Sequence, residues 1–120
     1  MKLVPDSLQG YSITGYGPGW VSVNGEKNLT SVIVSANGIT QWNCDSFENL
    51  SRQHFDQLAA LNPELVLFGS GERIRFAQPQ WLQNLYALRI GVETMDTQAA
   101  CRTYNFLAAE GRKVVAALLL

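Results

Sequence analysis

The stretch LVLFGSGER, residues 65–73, sets four consecutive apolar side chains against a polar loop punctuated by two glycines. A run this short and this uniformly apolar fits a strand covered on both faces, as in parallel sheets. The pattern continues in the same style. Pro79 suits the first turn of a helix with Trp81, Leu82, Leu85 and Leu88 inward. Arg89 to Glu93 reads as a second strand. MDTQAACRTYNFLAAEGR, residues 95–112, reads as a further helix, and Lys113 to Leu120 as a last strand. Strand, helix, strand, helix, strand with short links is a βαβαβ unit, whose strands are parallel and whose crossovers are right-handed.

Upstream the period is that of antiparallel β structure. Trp20, Val21 and Val23 run into Asn24-Gly25, and Val32 to Val34 run into Asn37-Gly38. Asn-Gly favours two-residue hairpin turns because both residues accept positive φ. Tyr16 to Gly19 reads as a turn or bulge, and Ile39 to Trp42 as a returning strand. Ser51 can cap a helix with Phe55, Leu58, Ala59 and Leu61 inward, stopped by Asn62-Pro63. The expected fold is therefore an α/β single domain over residues 1–120. It has a mixed sheet, about three helices, a hairpin-rich part over 10–43 and the βαβαβ part over 63–120.

The totals narrow the functions. With 9 basic and 10 acidic residues in 120, the net charge of −1 offers no cationic face for nucleic acid. No helix carries a Lys-rich face for a membrane surface, and no run has the length to span a bilayer. Pro5 and Asp6 interrupt the N-terminus before any signal-like apolar core forms, which points to a cytoplasmic chain with free thiols. One histidine and two scattered cysteines are too few for a metal site, and no cofactor motif is present.

Ligands of open α/β sheets collect beyond the carboxyl ends of parallel strands. Two loops should meet there: Gly69, Ser70, Gly71, Glu72 and Arg73 after one strand, and Thr94, Asp96 and Thr97 after the next. The glycines could present N–H groups to a phosphate or carboxylate, or simply turn the chain. Asp96 or Thr97 could help form a site, or simply cap the helix against its dipole. Cys101, in the first turns of that helix, could be an acidified thiol or a small buried hydrophobe. Along the same helix Ala100, Tyr104, Leu107 and Ala108 share one packed side, with Ala99, Thr103 and Phe106 expected on a second.

The combination of Pro63 to Gly71, Gly91-Val92-Glu93, Met95-Asp96-Thr97, Thr103-Tyr104-Asn105 and Glu110-Gly111-Arg112 resembles one family along nearly the whole chain. It is the small α/β domain family that includes mitochondrial complex I assembly factor 3 and an adipogenesis-associated protein, and the chain looks like a bacterial member. The resemblance implies a compact mixed-sheet fold and a role supporting another protein, without a reaction. The expected function is thus a non-enzymatic binding or assembly module, with a protein partner or self-association through an apolar patch near Trp42 or the hairpins. The alternative is an anion or small-molecule binder, or an enzyme, using the pocket between the two loops.

Overall fold

The computed structural model describes residues 10–120; the expectation placed on Pro5 and Asp6 lies outside them. The chain runs β1 (Ile13–Gly17), β2 (Trp20–Val23), β3 (Glu26–Asn28), β4 (Val32–Ser35), β5 (Gly38–Gln41), α1 (Arg52–Ala59), β6 (Leu65–Gly69), α2 (Gln83–Ala87), β7 (Gly91–Met95), α3 (Thr97–Ala109) and β8 (Val114–Leu118). Single 3₁₀ turns precede α1 (Phe47–Asn49) and α2 (Pro79–Leu82).

The strands form two sheets. β5-β4-β8-β6-β7 is mixed, with β6 parallel to both β8 and β7 and β4 antiparallel to β8. β1-β2-β3 is a separate antiparallel sheet. β1 is a full strand where the sequence showed only a turn, because Pro18-Gly19 closes a tight hairpin with Gly19 at φ 78°. Asn24 and Gly25 adopt φ 49° and 87°, the pairing Asn-Gly favours between strands. The second Asn-Gly is displaced by one residue. Ala36 and Asn37 make that turn, and Gly38 already pairs with Ser35.

Alternation along the central strands supplies two cores. Val66 and Phe68 of β6, with Val115 and Ala117 of β8, face α1 and α2. Leu67, Val114, Ala116 and Leu118 face α3 and the small sheet. Trp42 is 1% exposed on the first side, edge-on to Phe55 and Phe68 with centroids 5.8 and 6.1 Å away. The Trp42 ring is therefore no part of a surface patch: it is the largest fully buried side chain among the described residues, its Nε1 donating to His54 O at 3.2 Å. His54 in turn accepts the Ser51 N–H at Nδ1 (3.1 Å) and donates through Nε2 to Asn43 O (2.8 Å), so it caps α1 and ties it to the loop before it.

Three packing expectations and one strand boundary are corrected. Leu61 is 43% exposed, because α1 ends at Ala59 and Leu61 lies in the turn beyond it. Leu88 is 60% exposed, because α2 stops at Ala87 and Arg89 turns the chain at φ 62°. The next strand consequently begins at Gly91, not Arg89. Phe106 is 65% exposed, since it sits opposite the buried stripe Thr97, Ala100, Cys101, Tyr104 on α3. None of the described helices is long and apolar enough to cross a membrane.

The small sheet is held to α3 by side chains that act as backbone. Asn105 Oδ1 accepts from Ile13 N–H at 2.9 Å and its amide donates to Ile13 C=O, completing the ladder of β1. Tyr104 Oη donates to Tyr11 C=O at 2.8 Å. Replacing Asn105 by Ala leaves both groups of Ile13 without these partners and is expected to cost about 1–2 kcal/mol. Amide exchange should speed up in β1 and β2 while β6 and β8 stay protected; equal acceleration in both sheets would refute separate anchoring.

Candidate functional site

β8, β6 and β7 lie side by side and end at one edge, so three chain segments converge there. Thr97 joins them. Its Oγ1 accepts from Gly71 N–H at 2.8 Å and donates to Leu119 C=O at 2.7 Å, while its own N–H donates to Gly71 C=O at 2.9 Å. Leu119 N–H returns to Gly69 C=O at 2.9 Å, and Ser70 N–H to Met95 C=O at 2.9 Å. Gly69 lies under this knot: a Cβ there would stand 3.0 Å from Thr97 Cα. Gly71 turns the chain outward at φ 107°.

Ser70 is fully buried and fully engaged. Its hydroxyl donates to Arg73 C=O at 2.8 Å and accepts from Arg75 N–H at 3.0 Å, which folds the loop back on itself. Asp96 accepts from Ala99 N–H at 2.9 Å and is the cap of α3. Cys101 is 0% exposed between α3 and the sheet. Burial pushes its thiol up to about 11, so it is neutral and shielded at physiological pH. Cys44 is also buried; burial raises its pKa, and its Sγ faces Ser46 C=O at 2.9 Å. Among the described residues no three His, Cys, Asp or Glu side chains stand close enough to hold a metal.

The residues named from sequence therefore do not share one cavity. Ser70, Gly71, Glu72 and Arg73 line a cleft of about 590 Å³ with Asp45, Ser46, Phe47 and Arg75. Thr97 faces an adjoining dent of about 40 Å³ beside Tyr16 to Gly19, which Gly71 and Glu72 also line. Thr94 belongs to a groove at the β7 edge. Gly69 and Cys101 are interior. Sequence reasoning missed Phe47 and Arg75, which form the cleft's wall. The Arg75 guanidinium stacks 4.5 Å over Phe47 and reaches Glu48 at 2.9 Å, while its Nε is buried without a partner among the described residues. The Glu48 carboxyl is held below its usual range by its own backbone N–H and then by Arg75. These partners are 27 residues apart, and no local pattern announces such a pairing.

Thr97→Val keeps the shape but strands the Gly71 N–H and the Leu119 C=O, an expected loss of about 2–3 kcal/mol in chemical denaturation. Thr97→Ser should recover most of it; equal losses would mean that the methyl group matters more than the hydroxyl. The Cys101 thiol predicts an alkaline effect. The folded state favours the neutral thiol, so the unfolded chain loses its proton first and stability falls between the ordinary 9.0 and about 11. Tyr104, raised by burial to about 12, adds the same sign at higher pH. Cys101→Ala should flatten the lower part of that decline, as urea midpoints measured across alkaline pH would reveal.

Residues 13–119 match the model of a family described as "Protein of unknown function (DUF498/DUF598)". The human "NADH dehydrogenase [ubiquinone] 1 alpha subcomplex assembly factor 3" is 34% identical over 116 residues. The alignment takes in 95% of this chain but 63% of that relative, so the chain spans less than two thirds of its length. A crystal structure from Bordetella parapertussis superposes with TM-score 0.87 at 38% identity, covering 92% of this chain and 95% of that one. A solution structure from Bordetella pertussis, described as a Mth938-like domain, gives TM-score 0.81 at 32% identity, covering 91% and 85%.

Proposed function

This chain belongs to the DUF498/DUF598 family, and from that premise we propose that it is a non-catalytic module of assembly type. It acts in the cytoplasm by holding a protein partner. The observation that carries this reading is the likeness, along 95% of the chain, to a human protein named as an assembly factor. The geometry agrees with it in kind. Side chains that suggested chemistry are committed elsewhere: Ser70 and Thr97 to backbone, Asp96 to a helix cap, His54 to two backbone groups and both thiols to the interior. A nucleophile needs a base within reach, and neither thiol is within hydrogen-bond distance of His54 among the described residues.

Complexome profiling of native extracts tests the proposal. The chain is expected to migrate with a subassembly far heavier than its own 13.3 kDa, and its deletion to deplete one mature complex. Migration only at its own mass, with every complex intact, would remove the assembly reading.

One observation favours a second reading. The cleft beside Ser70 and Gly71 carries Arg73 and an Arg75 whose Nε lacks a partner among the described residues, a setting suited to a small anion. Under that reading inorganic phosphate at about a hundred times its Kd stabilises the fold by about 2.7 kcal/mol, and Arg75→Gln abolishes the effect. An unmoved melting temperature retires it.

A further inference from the structure

β7 is the outer strand of the five-stranded sheet, and its outward side is unpartnered among the described residues. The parity follows from two bonds. Gly91 N–H donates to Glu64 C=O and Met95 C=O accepts from Ser70 N–H, so residues 91, 93 and 95 face β6. Val92 and Thr94 therefore turn their N–H and C=O groups outward. Beside them runs a groove of about 500 Å³ walled by Phe76, Pro79 and Tyr86. Phe76 is 73% and Tyr86 53% exposed. Edge strands are usually blunted by charge, proline or a bulge. β7 has one charge, Glu93, and aromatic rings next to it. The opposite edge, β5, instead shows water the polar Thr40 and Gln41.

We infer that the β7 edge docks an extended segment of a protein partner as a sixth strand, with apolar side chains over the Phe76–Tyr86 groove and a basic residue opposite Glu93. The inference rests on the assembly reading and says where and how the partner is held. The free groups of Val92 and Thr94 form a ladder that only an extended backbone completes. Side chains opposite Val92 and Thr94 fall on the groove's face, while the one between them falls on the face of Glu93. Glu93 is exposed and has no ion-pair partner among the described residues. The complement is thus apolar, basic, apolar.

A second copy fits less well. The two-fold register that uses both free residues pairs Val92 with Thr94 of the other copy and sets the two Glu93 side chains directly opposite. Their Cα atoms would lie about 4.5 Å apart in such a pair, and like charges there are destabilising. Shifting the two-fold to Val92 brings in Ile90, whose N–H is already held by Leu85 C=O at 2.9 Å.

The test is an NMR titration with a short capped peptide alternating valine and lysine, beside its valine–glutamate counterpart. The lysine peptide is expected to shift the amides of Val92 and Thr94 and to bind about threefold more tightly than the glutamate one. Glu93→Lys should reverse that preference. Thr94→Pro removes an outward donor from an edge position that tolerates proline, and should weaken both peptides about tenfold. Phe76→Ser, at an exposed site, should weaken them with the backbone ladder intact. Equal affinity for both peptides, binding untouched by Thr94→Pro, or no shift at the β7 amides overturns the inference. So does a dimer of the free protein that Thr94→Pro dissolves. Because the probe is a peptide, these failures leave the native-complex result standing, and loss of that result leaves peptide binding to be read on its own.

Discussion

One hydroxyl holds the carboxyl ends of the central parallel strands together. Thr97 Oγ1 sits where β6, β7 and β8 end, accepting from the loop after β6 and donating to the end of β8, and it begins α3 at the end of β7. Three segments distant in sequence are fixed by one side chain 8% exposed. In that setting an unmade hydrogen bond costs more than a made one contributes. Gly69 is the counterpart constraint: its missing Cβ lets the Thr97 backbone come close enough for those bonds to form.

From that knot α3 carries the order outward to the second sheet. Its buried stripe packs on β6 and β8, and on its flank Tyr104 and Asn105 take hold of Tyr11 and Ile13. A side-chain amide completing a strand's ladder does two things. It satisfies polar groups that would otherwise be lost under the helix, and it closes the edge of β1. Among the described residues β7 receives no such cover, and the aromatic groove lies beside it.

Residues that look reactive in the sequence are, in the fold, the joints of this arrangement. A buried serine, a helix-capping aspartate and a neutral thiol under a helix are what a rigid scaffold needs at strand ends, and the cleft beside them presents Glu72, Arg73 and an Arg75 already paired with Glu48. Residues 13–119, which contain all of these joints, are the part of the chain that matches the DUF498/DUF598 family.

What the sequence determined alone were features written in a local period or a local dihedral. Leu65 to Gly69 is strand by its two-sided apolar run, and Asn24-Gly25 turns because both residues accept positive φ. Asp96 caps α3 because its carboxylate reaches an N–H three residues on. The order of elements makes β6, β7 and β8 parallel with right-handed crossovers, whereas the place of β6 between β8 and β7 is a tertiary outcome. Only the tertiary structure decided that the hairpins split into two sheets, that Trp42 lies inside, that Leu88 and Phe106 lie outside, and that Arg75 meets Glu48. Those outcomes depend on which distant backbone needs a partner and which side chain is left facing water. No window of neighbouring residues contains that information.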